Sequence, residues 1–135
     1  MRKFLSDFIK TGNPMAKLKF NADFMGPEYI IEKKDVFIGR SPDNDITIPD
    51  YRIFATLPLV VQNARYRTLR HVSRKHAVIQ NFDEKCYLID IGNDGKGSSH
   101  GTFVNNERIT PGIKCELKSG DRIRFAEVEC IFVSE

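Results

Sequence analysis

Three short polar blocks contain the residues of this chain that could bind a ligand. They are Gly39–Arg40, Ser73–His76 and Ser98–Asn105, in that order along the sequence. The blocks supply a guanidinium, several hydroxyls and backbone N–H groups beside glycine, all of which can donate hydrogen bonds to a phosphate. Each block lies between runs with strand character. The sequence therefore predicts an anion-binding surface built from loops.

The same residue types also suggest an alternative, which is catalysis. Ser73, His76 and His100 could be combined with one of several aspartates into a hydrolase triad. However, the sequence contains neither a Gly-x-Ser-x-Gly elbow nor a Gly-x-x-x-x-Gly-Lys-Ser/Thr phosphate loop. Its His, Cys and Asp residues also lack the spacing of metal ligands. We therefore assign no catalytic residue, metal, cofactor or small-molecule substrate, and we predict that the chain is not an enzyme.

Taken together and in this order, the three blocks resemble the forkhead-associated (FHA) domain, a module that binds phosphothreonine in partner proteins. The resemblance covers residues 17 to 133. It implies that Arg40 contacts the phosphate directly and that the Ser73 hydroxyl bonds a phosphate oxygen. Ser99 matches a family position that offers further phosphate contacts. Arg74 is expected to add positive charge or to contact the peptide beside the phosphothreonine.

His100 departs from the commonest family residue, asparagine, whose amide bonds the peptide backbone beside the phosphothreonine. An imidazole can also donate to a peptide carbonyl, but with a different reach. The difference therefore concerns the choice of flanking residues more than phosphate binding. The other block residues are expected to build the loops, with the His76 side chain bracing them by hydrogen bonds. This structural set is Gly39, His76, Gly101, Thr102 and Asn105.

The segments around these blocks have the pattern of an all-β protein. Short runs, many of them alternating, are separated by turn signals such as Ser41–Asn44 and Ser119–Asp121. Ten Phe and four Tyr also favour strands. We predict an eleven-stranded antiparallel β-sandwich, as the resemblance also implies. The strands are expected near 16–20, 28–32, 36–39, 46–48, 77–81, 86–91, 102–104, 107–109, 114–117, 122–126 and 129–133.

Two segments fall outside that pattern. Residues 1–15 are expected to be an N-terminal extension whose apolar residues would suit a short amphipathic helix, and residues 16–135 are the part that the resemblance assigns to an FHA domain. Residues 51–72 are inserted between the first and second blocks, and 59–71 could hold a short helix after Pro58. This insertion ends beside Ser73, so Arg65, Arg67 and Arg70 are expected to extend the basic surface toward a peptide.

Charge and cysteine content limit the remaining function classes. Residues 51–71 contain four arginines and no Asp or Glu, which leaves 17 basic against 18 acidic residues elsewhere. Four arginines in one segment of an otherwise nearly neutral chain are a smaller basic surface than nucleic-acid-binding proteins usually have, so we do not predict nucleic-acid binding. Cys86 and Cys130 lie in apolar runs and are expected to be buried free thiols, which suits an intracellular location. No membrane-spanning run is present in the sequence.

The sequence therefore predicts a phosphopeptide-binding module that recognises phosphothreonine in partner proteins for signalling or assembly. One alternative remains open. The same scaffold could bind a partner without phosphate, or self-associate through the 51–72 insertion.

Overall fold

The computed structural model describes residues 16–135, in which eleven strands form two sheets and two helices lie between the fourth and fifth strands. The helices are α1 (Tyr51–Phe54) and α2 (Leu59–Leu69). The strands are β1 (Lys17–Phe20), β2 (Glu28–Ile30), β3 (Asp35–Gly39), β4 (Ile46–Thr47), β5 (Ala77–Phe82), β6 (Lys85–Asp90), β7 (Thr102–Val104), β8 (Glu107–Arg108), β9 (Cys115–Glu116), β10 (Arg122–Phe125) and β11 (Val128–Val133). The helix expected in 1–15 lies outside the described residues.

One sheet has the strand order β2-β1-β11-β10-β7-β8, and the other has the order β4-β3-β5-β6-β9. The predicted eleven-stranded sandwich is confirmed. Its strand pairs are antiparallel except that β3 and β4 are parallel. The reason is local. After β3 ends, residues 40–45 form a loop that runs back beside β3. Two hydrogen bonds then join the end of this loop and the chain after it to β3: Asp45 N donates to Phe37 O, and Ile48 N donates to Gly39 O. The chain therefore enters β4 running in the same direction as β3.

The core lies between the two sheets and follows the alternation of the strands. In β11, Val128, Cys130 and Phe132 are buried, because successive side chains of a strand point to opposite faces. Ile38 and Ile79 belong to the same core from the second sheet. Fully burying one such side chain is worth about 1.5–3 kcal/mol, so the sandwich is a stable base for its loops.

The 51–72 insertion is attached to the sandwich at both ends, since Phe54 and Leu57 also pack against the core. Leu69 and Val72 are buried in the core, whereas Leu59 and Val60 at the start of α2 are 70% and 74% exposed. Arg65, in the middle of α2, forms a salt bridge to Asp23 with a 2.7 Å N–O distance. Since Val72 directly precedes Ser73, this anchoring fixes the chain just before the second polar block.

Cys86 and Cys130 are buried free thiols, as the sequence predicted. Burial raises the pKa of Cys86 to about 11 and also raises that of Cys130. Because the thiolate is the reactive form of cysteine, both residues serve as core side chains rather than nucleophiles. In the part of the chain that the structure describes, neither helix has the length and apolar character to cross a membrane.

Candidate functional site

The first and second polar blocks lie side by side where β3 ends. Arg40 N donates to Ser73 O and Ser41 N donates to Arg74 O, both at 3.1 Å. Gly39 is required at this point, because a Cβ there would collide with the Arg74 carbonyl oxygen. The Asn44 amide joins the same contact by donating to Arg74 O at 2.7 Å. The close approach of these backbones fixes the distance between the two blocks.

The Arg40 side chain is half-buried, and the insertion contacts it. Its Nε donates to Val72 O at 2.9 Å, and the Tyr51 hydroxyl donates to the Arg40 carbonyl at 2.6 Å. Among residues 16–135, no carboxylate forms a salt bridge with this guanidinium. Because the Nε of Arg40 is already bonded, its two terminal nitrogens, Nη1 and Nη2, remain as donors for a ligand. The bond to the Val72 carbonyl restricts the orientation of the planar guanidinium.

His76 joins the second block to the third. Its ring is completely buried, Nδ1 accepts from Ser73 N at 3.0 Å, and Nε2 donates to the Gly101 carbonyl at 2.9 Å. These two partners require the neutral tautomer that carries its proton on Nε2. The ring also packs edge-on against Phe125, with 5.8 Å between centroids. One side chain thus positions Ser73 relative to the loop that carries Ser99.

The buried His76 leads to a prediction about pH. Burial lowers the pKa of His76 below its ordinary value of 6.5, whereas the unfolded chain titrates near that value. Below pH 6.5 the unfolded state therefore binds more protons, and the free energy of unfolding should decrease as the pH falls. Chemical denaturation above and below this pH would measure the loss. NMR titration of the His76 ring isolates its share, and a pKa at or above 6.5 would contradict the prediction.

The third block is shaped by a buried carboxylate that the sequence analysis missed. Asp90 is fully buried, and it accepts from Ser98 N at 2.8 Å and from Ser98 Oγ at 3.2 Å. Ser98 Oγ in turn accepts from Gly101 N at 3.0 Å. These bonds hold the backbone around Ser99 and His100, whose side chains are exposed at the tip of the loop. Asp90 ends a strand, and nothing in its local sequence indicates this role.

The remaining block residues lie in β7 and the turn that follows it. Thr102 is fully buried, and its hydroxyl has no hydrogen-bond partner within residues 16–135. Asn105 and Asn106 have φ values of 51° and 71°, which is the left-handed pair of a type I′ turn between β7 and β8. The Asn105 side chain also donates to Asp121 and accepts from Arg122 N, both at 3.0 Å.

The basic residues around the site differ in their partners. Arg65 is paired with Asp23, Arg52 with Asp50, and Lys75 with Asp43 at 3.6 Å. The exposed residues Arg67, Arg70 and Arg74 have no carboxylate partner in the described part of the chain. Arg65 therefore differs from Arg67 and Arg70, with which the sequence analysis grouped it, because its charge is already paired.

A comparison of the sequence with family models identifies the family to which this fold belongs. Residues 36–126 match the model of the FHA domain. The chain belongs to the FHA family. FHA domains are interaction modules that bind phosphopeptides, and they are not enzymes. The matched range contains all three polar blocks together with the 51–72 insertion.

Solved structures agree with this assignment over most of the FHA domain. An FHA domain from an analysis of phosphothreonine-dependent FHA interactions is 26% identical, with a TM-score of 0.63, covering 89% of this chain and 96% of its own. Mycobacterium tuberculosis EmbR, in complex with a low-affinity phosphopeptide, is 25% identical. Its TM-score is 0.64, and the match covers 99% of this chain and 29% of EmbR.

Among curated relatives, the Arabidopsis thaliana homolog of the protein phosphatase 1 regulatory inhibitor subunit PPP1R8 is 41% identical over 63 residues, which is 46% of this chain. Mouse nibrin is 33% identical over 94 residues, or 61% of this chain. The matches span only 16% and 12% of these two proteins' lengths. The chain therefore spans only a small part of the length of these relatives.

Proposed function

We propose that this FHA domain binds phosphothreonine in a partner protein, through Arg40, Ser73 and Ser99, with Arg74 and His100 beside the peptide. The observation that carries the proposal is the linkage of the three blocks. Backbone hydrogen bonds join Arg40 to Ser73, and His76 joins Ser73 to Gly101. The Arg40 guanidinium, which has no carboxylate partner within the described residues, and two serines thus belong to one connected set of loops.

The chemistry of these groups suits a phosphorylated side chain. A phosphothreonine brings about two negative charges and three acceptor oxygens. Arg40 offers charge-assisted donors, and no hydrogen bond within residues 16–135 engages the Ser73 hydroxyl. Since buried hydrogen bonds already fix the loops, little conformational entropy has to be lost when the ligand binds. Such an interaction would serve signalling or assembly.

The test is binding to an oriented phosphothreonine peptide library, with phosphoserine and unphosphorylated libraries as controls. We expect selection of phosphothreonine peptides and loss of binding after phosphatase treatment. Equal binding of unphosphorylated peptides would reject the proposal. It would instead favour a phosphate-independent contact or self-association, for which the exposed Leu59 and Val60 of α2 are the candidate surface.

A further prediction concerns the arginines of α2. Replacing Arg67 and Arg70 together with glutamine should slow phosphopeptide association and flatten its dependence on salt, because exposed rim charges act mainly on encounter. Their field is screened beyond a Debye length of about 8 Å at physiological salt. Stopped-flow association at low and high salt would measure both effects.

Arg65→Gln is the matched control for that experiment. Residues two apart in a helix point about 200° apart, so Arg65 and Arg67 face different sides of α2. Arg65 is also already paired with Asp23. Because the control removes one charge from another side of α2, it should change the association rate less than the Arg67/Arg70 variant does. If the Arg67/Arg70 variant keeps the wild-type association rate at low salt, these arginines do not steer the ligand.

A further inference from the structure

Two features distinguish this chain from the usual FHA pattern, and they meet in one contact. The first is His100, at the position where asparagine is commonest. The second is the 51–72 insertion, which contains His71. The two imidazole rings stack with 4.2 Å between their centroids and 23° between their planes. The insertion is therefore in direct contact with a residue expected to meet the peptide.

His71 is the fixed member of this pair. Its backbone N–H donates to Thr68 O in the turn that continues α2, and the next residue, Val72, is buried in the core. On its side chain, Nδ1 lies 3.0 Å from Glu127 Oε1 in the turn between β10 and β11. The position of the His71 ring is thus fixed by the anchored backbone around it and by the Glu127 carboxylate.

His100 is the member that depends on the contact. It is exposed at the tip of the third block, and no hydrogen bond holds its ring within residues 16–135. An exposed histidine samples several side-chain rotamers. The stack with His71 restricts that choice, because the two rings must remain parallel and close.

We infer that His71 is a positioning residue for His100, and that it holds the imidazole as a preset donor for the peptide backbone beside the phosphothreonine. The inference rests on the proposed function. A donor that is fixed before binding loses less entropy when the ligand arrives, so the stack contributes to affinity although His71 itself does not touch the peptide. The insertion and the unusual histidine then act as one selectivity element.

A double-mutant cycle tests the inference. In the wild-type background, His71→Ala should weaken binding of a library-selected phosphothreonine peptide about three- to tenfold, which is the range of an aromatic pair. In a His100→Asn background the same change should have little effect, because the ring that it positions is gone. His71→Phe keeps a ring for the stack but loses the contact with Glu127, so its affinity should lie between those of His71→Ala and the wild type. Asn63→Ala, on the exposed part of α2, is the surface control.

The free domain provides a readout that needs no ligand. Stacking places the His100 ring protons in the ring current of His71, so their NMR shifts should move toward those of an exposed histidine in the His71→Ala variant. Unchanged shifts would overturn the inference. So would an equal loss of affinity in both backgrounds, which would indicate a general effect through Val72. If the wild-type domain binds no phosphopeptide, the proposed function fails, and these shifts still decide whether His71 positions His100.

Discussion

Replacement of Arg40 with alanine is expected to abolish binding of phosphothreonine peptides while the domain stays folded. Removing one partner of a hydrogen-bonded charge pair that is shielded from water costs roughly 2–5 kcal/mol. Since 1.4 kcal/mol is a tenfold change, affinity should fall about 30-fold or more. Calorimetric titration of the variant with a library-selected peptide would measure the loss.

The Val72 contact makes a second variant necessary, because Arg40→Ala also removes the bond from Nε to the Val72 carbonyl. Arg40→Lys retains a positive charge but lacks the planar fork, so we expect it to recover only part of the affinity. Arg65→Ala, which removes an arginine already paired with Asp23, should bind like the wild type. Unchanged affinity in Arg40→Ala would exclude Arg40 from the site.

Of the substitutions proposed here, His76→Ala is expected to cause the largest loss in the free energy of unfolding. The change leaves Ser73 N and Gly101 O without their partner, and each orphaned buried group costs about 1–3 kcal/mol. It also leaves a cavity beside Phe125. For a domain of this size, 1 kcal/mol lowers the melting temperature by roughly 4 °C, so a decrease of about 8 °C or more should appear in thermal denaturation.

Peptide binding by the His76 variant should weaken as a consequence of the loosened loops. For stability, His100→Ala is the matched control, since it removes an exposed histidine from the neighbouring block without orphaning a buried polar group, and it should lower the melting temperature far less than His76→Ala. A His76→Ala protein that melts like the wild type but no longer binds would assign His76 to direct ligand contact instead.

Local sequence was sufficient to predict the strands and the turns. Alternation identifies β10 and β11, and the Asn105–Asn106 pair is a sequence signal for the type I′ turn that joins β7 and β8. The helix at Leu59–Leu69 also lies within the stretch that was expected to hold one. These features depend on neighbouring residues, whose preferences are encoded within a few positions of the chain.

Contacts between distant residues could not be predicted in this way. Asn44 bonds Arg74 across thirty positions, and His71 reaches Glu127 across 56. Neither has a local signal, because each depends on how separate loops come together in the sandwich. The parallel pairing of β3 with β4 depends in the same way on the path of residues 40–45. The roles assigned to Arg40, Ser73, Arg74, Ser99 and His100 remain predictions.

The strand order has a consequence for how this domain can meet other proteins. The strands at the four sheet edges are β2, β8, β4 and β9, and each has only two or three residues. A short edge offers few unpaired N–H and C=O groups, so it is a poor template for an added strand. Extending either sheet with a segment of another chain would gain few backbone hydrogen bonds. We therefore expect partners to be recognised through the loops and the insertion, and the short edges of residues 16–135 disfavour edge-to-edge aggregation.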